Sequence, residues 1–345
     1  MATPAVSERW TGSRSSGPFA TRRAFRRYVI ILGLLSVLAV GSAFGLLAWD
    51  NPMPVGSPEF WRIANLRLTN VTVMAVVAVA QALATVSFQT VTTNRIITPS
   101  IMGFESLYRV VQTSSVYLFG VAGLVAIQGL WQFALQIALM VALAMALYGW
   151  LLSGRYANLQ IMLLVGIVIG GGLGAISTFM QRLLTPSEFD VLAARLFGSI
   201  ANADASYLPL ALPLCLAASA LLWLRARRLN VMALGADAAR SLGLDHRREQ
   251  LTVLLLVAVL MATSTALVGP MTFFGFLVAT LAYQFADTFD HRLVFPIAVL
   301  TGFSVLAGAY FVMKNVFYAQ GVVSILIELV GGTVFLIVIL RKGRL

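Results

Sequence analysis

The chain alternates between long runs without charged side chains and short segments that carry most of its arginines. Residues 68–94, 110–154 and 250–286 contain no Asp, Glu, Lys or Arg. A helix that crosses the hydrocarbon core of a bilayer needs about 20 apolar residues at a rise of about 1.5 Å each. The second and third runs are too long for one crossing, and residues 120–129 and the pair Gly269–Pro270 divide them. The pattern therefore predicts a bundle of transmembrane helices.

The runs predict about ten such helices. Their ranges are residues 28–48, 68–94, 97–119, 131–152, 158–180, 206–224, two helices within 250–286, 293–313 and 321–340. The predicted fold class is an all-α polytopic membrane protein. Residues 1–27, which carry arginines among Ser, Gly and Pro, are predicted to be a disordered basic cytoplasmic tail. The transmembrane domain then covers residues 28–345.

Composition supports the membrane class over a soluble one. Apolar residues make up 59% of the chain and charged residues only 11%, whereas about a quarter of an ordinary soluble chain is charged. Barrel strands would appear as short alternating segments, but these runs are continuous and of helix length. The single cysteine, Cys215, excludes an intrachain disulfide.

The net charge of +11 is distributed unevenly over the loops. With ten spans and both termini on one side, few cations fall on the other side. They are Arg62, Arg67, Arg182, Arg195 and Lys314, and Arg109 lies inside a helix. Because cytoplasmic loops carry an excess of Lys and Arg, the asymmetry predicts a multi-pass protein of the inner (cytoplasmic) membrane with both termini in the cytoplasm.

The longest predicted cytoplasmic connection is residues 225–249. Residues 231–242 show helix-forming composition with apolar positions on one side, and Gly243 is placed to end that helix. Two interpretations stay open from the pattern alone. The helix lies on lipid, or it binds a cytoplasmic subunit.

Residues 232–245, MALGADAARSLGLD, resemble the coupling-loop signature of the iron-chelate ABC importer permease family, which includes the vitamin B12 importer permease. Residues 225–249 are therefore called the coupling loop below. Three other stretches are similar to that family in the same order: residues 66–89, residues 93–106 with Asn94, Pro99 and Gly103, and residues 269–282 with Gly269, Pro270, Phe273 and Gly275. The resemblance implies a type II ABC importer permease. It also implies the permease subunit of a binding-protein-dependent importer of iron(III)–siderophore complexes.

Several positions depart from the family pattern. Arg95 replaces a proline, Ala279–Thr280 replaces a Pro-His pair, and Tyr283 replaces an arginine. The last helix has Val322, Ser324 and Ile327 where a Pro-x-Gly-x-x-Thr pattern is usual. These variants are similar to the branch that handles catecholate siderophores, while B12 and haem remain alternative substrates.

The resemblance implies partners for this chain. They are an ATP-binding subunit, a second permease (a homodimer or a related heterodimer) and an extracytoplasmic siderophore-binding protein. The residues implied to couple to the ATPase are Ala233, Leu234, Gly235, Ala236, Asp237, Ala239, Arg240, Leu242 and Gly243. The chain has no Gly-x-x-x-x-Gly-Lys-Ser/Thr loop, so ATP is expected to be used by the partner, and no cofactor by this chain. It is accordingly not expected to be an enzyme by itself.

The resemblance assigns three further sets of residues. Binding-protein docking falls to Arg67, Asn70 and Lys314, although snorkelling at helix ends would look the same. The translocation path or gate falls to Gly170, Gly171, Gly172 and Gly174, although tight packing would look identical. A structural hinge falls to Gly269, Pro270 and Gly275.

Three charged residues lie inside predicted helices. Glu105 and Arg109 are spaced to pair on one helix face, and Glu328 has no evident partner. Either carboxylate would suit the alternative of an ion-coupled secondary transporter. The only histidines, His246 and His291, are expected to be solvated loop residues, and no metal site is predicted. A membrane-embedded enzyme would need a cluster of His, Asp, Glu or Cys, which the sequence does not show.

Overall fold

A computed structural model describes residues 17–126, 129–153, 159–201, 203–318 and 323–342. These ranges contain thirteen α-helices. They are α1 (Arg22–Ala48), α2 (Pro58–Val91), α3 (Glu105–Ala126), α4 (Leu130–Ser153), α5 (Leu159–Gln181), α6 (Pro186–Leu196), α7 (Leu208–Leu224), α8 (Ala226–Met232), α9 (Ala236–Ser241), α10 (His246–Val268), α11 (Phe274–Ala286), α12 (His291–Asn315) and α13 (Val323–Lys342).

Eight of these helices are long and apolar enough to cross a membrane: α1, α2, α4, α5, α7, α10, α12 and α13. Each contains one of the predicted spans. The remaining two predicted spans correspond to α3 and to the shorter apolar helix α11. The all-helical fold class of about ten transmembrane helices is confirmed.

The centre of the bundle is built around α2, α10 and α12. In the most apolar 18-residue stretch of each of these helices, 78%, 72% and 61% of the residues are buried, respectively. The corresponding fractions are 6% in α1 and 17% in α5. The inner helices carry many small residues, which allow close helix–helix approach in a membrane. Gly275 of α11, for example, packs directly against the side chain of Thr85 on α2. The outer helices leave an apolar surface for lipid or for another subunit.

The first two helices begin earlier than the hydropathy pattern predicted. α1 starts at Arg22, because the Thr21 hydroxyl accepts a hydrogen bond from the backbone N–H of Ala24 at 3.1 Å. α2 starts at Pro58 with Ser57 as its N-cap. Most of the predicted disordered tail, residues 1–16, lies outside the described residues.

The third span begins differently from its prediction as one helix over residues 97–119. A π-helical turn, Ser100–Phe104, precedes α3 and contains Gly103 with φ of +95°. A Cβ atom added to Gly103 would lie 3.0 Å from the Cα of Gly170, and one on Gly170 would lie 2.8 Å from the Cα of Gly103. The backbones of this turn and α5 therefore touch, which leaves no room for a side chain at either position.

Helix α6 was not predicted from hydropathy, because it is short and mixed in composition. A capping box forms at its start, where Glu188 accepts hydrogen bonds from the backbone N–H of Thr185 at 3.0 Å and from its hydroxyl at 2.8 Å. These bonds lower the pKa of Glu188. α6 packs against α3 at the end of the bundle opposite the coupling loop.

Candidate functional site

The coupling loop forms two short helices and not the single helix predicted over residues 231–242. α8 and α9 are separated by a turn at Gly235, where φ is +97°. At the other end of α9, Gly243 has φ of +81° and donates a hydrogen bond to the Arg240 carbonyl at 2.9 Å. Both glycines adopt the left-handed region, which other residues rarely occupy, so they set the shape of this segment.

The predicted coupling residues differ in what they present to solvent. Leu234 and Leu242 are 65% and 63% exposed, although they lie outside the spanning helices. Ala239 is fully buried, where α9 packs on α8 and α10. The remaining predicted positions are exposed (Ala233, Asp237, Arg240, Gly243) or half-buried (Gly235, Ala236). The side of this segment that faces away from the bundle thus presents the two leucines and the exposed ion pair of Asp237 and Arg240. The carboxylate and the guanidinium of this pair are 3.8 Å apart.

Glu249 anchors the coupling loop to the start of α10. Its carboxylate pairs with Arg225 at 2.6 Å and also with Arg228, so one acidic group holds the first turn of α8 near α10. The Glu249 side chain is 10% exposed, and partial burial makes such a network stronger than a fully solvated pair.

A second anchor joins α8 to α12 and α2. Asn230 donates to the carboxylate of Asp290 at 2.9 Å, and its side-chain oxygen lies 3.0 Å from the backbone N–H and 2.5 Å from the ring Nδ1 of His291. The ring Nε2 of His291 lies 2.6 Å from the hydroxyl of Thr90 on α2. α8 is therefore bonded to α12 directly and to α2 through His291.

The prediction that both histidines are solvated was wrong. His246 and His291 are 8% and 4% exposed, because each begins a helix that enters the bundle core. Sequence reasoning missed Asn230 and His291 as structural links, since their partners are distant in sequence. Among the described residues, no group of three or more His, Cys, Asp or Glu is placed to hold a metal ion.

The three predicted docking residues converge at the opposite end of the bundle. Asn70 donates to the Tyr310 hydroxyl at 3.1 Å, and Arg67 lies within electrostatic reach of Lys314. Arg67 is also engaged locally. Its guanidinium donates to the carbonyls of Trp49 and of Asp50, the latter at 3.0 Å, and so caps the end of α1.

The predicted gate glycines fall into two groups. Gly170 is buried against Gly103, as described above. Gly171 and Gly172 are exposed, Gly174 is half-buried, and a Cβ atom at any of the three would meet nothing within 4 Å. Only Gly170 is therefore required for packing within this chain.

Two of the predicted hinge residues, Gly269 and Pro270, lie between α10 and α11, and the third, Gly275, lies in the first turn of α11. Gly269 has φ of +88° and ends α10, and a Cβ there would lie 3.1 Å from the carbonyl oxygen of Phe197. A Cβ on Gly198 would in turn lie 2.5 Å from the carbonyl oxygen of Pro270. Segments 197–199 and 269–271 are thus packed backbone to backbone inside the bundle.

The predicted ion pair between Glu105 and Arg109 does not form as a direct contact in the described part of the chain. The carboxylate of Glu105 accepts a hydrogen bond from the Thr272 hydroxyl at 2.6 Å. Arg109 and Glu328 both lie within electrostatic reach of Glu105. The sequence pattern indicated no partner for Glu328. The structure places Glu328 within electrostatic reach of Glu105 and Arg109.

A family model described as the FecCD transport family matches residues 28–341. The chain belongs to the FecCD transport family. The predicted iron-chelate permease family is confirmed, and the match covers the predicted transmembrane domain almost completely.

Individual relatives agree with this membership. The chain is 50% identical over 333 residues to the petrobactin import system permease protein FatC of Bacillus anthracis, covering 96% of this chain and 94% of the relative. It is 33% identical over 316 residues to the petrobactin import system permease protein YclO of Bacillus subtilis (strain 168), covering 92% and 95%. A solved chain assigned to the metal-chelate type of ABC transporter, in an inward-facing conformation, matches with a TM-score of 0.79 at 22% identity, covering 91% of this chain and 100% of that one. This likeness confirms the fold.

Proposed function

We propose that this FecCD chain is the permease subunit of an ABC importer that moves iron(III)–siderophore complexes of the petrobactin type across the cytoplasmic membrane. The observation that carries the proposal is the 50% identity to FatC over nearly the whole of both chains. YclO, whose name refers to the same siderophore, is also similar over its whole length. These two relatives favour a siderophore over B12 or haem as the substrate.

The coupling loop supports the proposed role for an ATP-binding subunit. Leu234 and Leu242 are exposed apolar side chains beyond the ends of the spanning helices, where an isolated chain would place them in water. Apolar side chains flanked by polar ones are typical of a protein–protein interface. The ATP-binding subunit binds at these two leucines and uses the ATP, and this chain binds no cofactor of its own.

The two anchors of the coupling loop supply the route by which nucleotide-driven movement reaches the membrane. Glu249 holds α8 to α10, and Asn230 joins α8 to α12 and, through His291, to α2. These helices form the centre of the bundle. A push on α8–α9 therefore moves the core as a body and not only a surface loop.

The opposite end of the bundle is proposed to bind the extracytoplasmic siderophore-binding protein. Arg67, Asn70 and Lys314 lie together there, and a local cluster of cations gives an acidic partner a defined register. Both termini then lie in the cytoplasm with the coupling loop. The exposed Gly171 and Gly172 and the half-buried Gly174 face the path that this chain forms with a second permease.

The proposal is tested by uptake of radiolabelled iron in cells that lack this chain and are complemented with it. Ferric petrobactin should be taken up only in the complemented cells, and uptake should stop when the partner ATPase is inactivated. An ion-coupled secondary transporter predicts the reverse: uptake survives loss of the ATPase and collapses with an uncoupler. Equal uptake with and without the chain would contradict the proposal.

A further inference from the structure

The interior of the bundle contains a charged cluster that the coupling and docking sites do not use. Glu105 and Arg109 lie one turn apart on α3, and Glu328 of α13 lies within electrostatic reach of both. Thr272, in the turn between α10 and α11, donates to Glu105 at 2.6 Å. The cluster therefore joins segments that are far apart in the sequence, beside the turn that begins at Gly269.

The cluster lies deep in the membrane. α11 spans 13 residues, about 20 Å, between the turn that carries Thr272 and the loop that precedes α12. Glu328 lies fourteen residues before the end of α13 at Lys342, about 21 Å along the helix from the same end of the bundle. The hydrocarbon core is about 30 Å thick, so these side chains are near its middle.

Exposure distinguishes the members of the cluster. Glu105 is 6% exposed, and its Oε1 atom is buried without a hydrogen-bond partner in the described part of the chain. Arg109 is exposed and Glu328 is half-buried. A guanidinium at mid-membrane depth is too costly to place against lipid tails, so its face of α3 adjoins water or another protein.

We propose that Arg109 and Glu328 line the aqueous translocation path at mid-depth, and that Arg109 is a contact for the negatively charged iron chelate. When the path is empty, the carboxylate of Glu328 balances the positive charge of Arg109. A passing chelate replaces Glu328 as the counter-ion of Arg109. Glu105, which accepts a hydrogen bond from Thr272, lies within electrostatic reach of the arginine. The inference rests on the proposed function, because it concerns how that substrate passes.

The chemistry of the substrate explains the sign of the contact. Iron(III) bound by deprotonated catecholates or carboxylates forms a complex with net negative charge, because its oxygen donors carry more charge than the metal. A guanidinium offers several donors in a fixed plane to such oxygens. The neighbouring carboxylates limit the positive potential, so that the anion is attracted but not trapped.

Accessibility of the two positions is the first test. In a variant whose buried Cys215 is replaced by alanine, Arg109→Cys and Glu328→Cys are introduced separately, and the importer is reconstituted with its partners. A charged, membrane-impermeant methanethiosulfonate reagent should label both positions, and ferric petrobactin should slow the labelling. Absence of labelling at both positions would overturn the inference, since they would then lie in a permease–permease contact or against lipid.

Selective loss of transport is the second test. Arg109→Gln should lower uptake of ferric petrobactin by about tenfold, as expected for one charge-assisted hydrogen bond, whereas Arg109→Lys should retain most of it. Arg23→Gln, at an exposed arginine of α1 outside the membrane, is the matched control and should transport normally. Unchanged uptake by Arg109→Gln would overturn the inference while leaving the proposed function intact.

Failure of the wild-type assembly to take up the chelate would instead contradict the proposed function. If Arg109→Gln does not accumulate in the membrane, labelling at position 328 decides. Reaction there that the chelate blocks supports the inference, and no reaction overturns it.

Discussion

Leu234 and Leu242 are informative because of where they are exposed. Apolar exposure means little on the sides of a membrane protein, which are in contact with lipid. Beyond the ends of the spanning helices the same exposure marks a surface that another protein covers. Ala239, from the same predicted set, is buried within the chain and cannot touch a partner.

Replacing Leu234 by Glu should therefore disrupt coupling without disrupting the fold. We expect ATP-dependent uptake to fall by at least about tenfold, the loss typical of a central interface residue. Arg23→Glu is the control, because Arg23 is an exposed polar residue at the same end of the bundle and lies outside α8–α9. Uptake that falls equally in both variants would contradict the assignment of the partner site to α8–α9.

Substitutions of Arg67 and of Lys314 should cause different defects, one in stability and the other in binding-protein affinity. Arg67→Gln removes the cap on the end of α1, so it should lower the thermal stability of the purified chain. Lys314→Gln should leave stability within about 0.5 kcal/mol and weaken the binding protein's affinity several-fold, with the difference disappearing at high salt. Thermal unfolding and titration calorimetry measure the two effects. A salt-independent loss of affinity for Lys314→Gln would argue against electrostatic docking.

Among the elements, the π-helical turn and α5 are in direct backbone contact. Gly170→Ala should destabilise the chain by about 1–3 kcal/mol, because the added Cβ would overlap the backbone at Gly103. Gly171→Ala is its neighbour and control, since its Cβ meets nothing, and its stability should be unchanged. Thermal unfolding in detergent compares them. Equal stability of the two variants would show that α5 does not pack as described.

The anchor at Asn230 predicts an effect on transmission. Asn230→Ala removes the hydrogen bonds to Asp290 and His291 and should cost about 1–3 kcal/mol of stability, since these partners are left unpaired. It should also raise the ATP hydrolysed per iron transported, because α8 is then released from α12 and α2. The ratio of hydrolysis to uptake in proteoliposomes measures this. A normal ratio would mean that force passes through Glu249 alone.

Hydropathy predicted the helices better than the connections between them. Long apolar runs predicted ten spans, and each corresponds to a helix of the structure, because lipid leaves a spanning helix almost no choice of composition. The two-helix form of the coupling loop was missed, since Gly235 was taken as one residue within a helix and not as the left-handed turn between two. α6 was missed because capping, and not hydropathy, marks it. The Glu105–Thr272 bond and the burial of both histidines depend on partners distant in sequence, which no local pattern contains.

The whole molecule carries three sites along one axis. The proposed partner surface lies at one end, the charged cluster of Glu105, Arg109 and Glu328 lies at mid-depth, and the cationic cluster of Arg67 and Lys314 lies at the other end. The central helices α2, α10 and α12 connect them, and the coupling loop is bonded to α10 and α12 and, through His291, to α2. Such an arrangement suits a transporter that changes between two global states as a body. The sequence contains no phosphate-binding loop of the Gly-x-x-x-x-Gly-Lys-Ser/Thr type.

The central claim is ATP-driven import of an iron chelate, and it is tested most directly in proteoliposomes. These would contain this chain, its ATP-binding subunit and any second permease, with the binding protein and ⁵⁵Fe-loaded petrobactin on the outside and ATP within. The account predicts iron accumulation that requires ATP, stops with Leu234→Glu and persists in the presence of an uncoupler. Accumulation without ATP, or none with it while the assembled complex still hydrolyses ATP, would contradict the account.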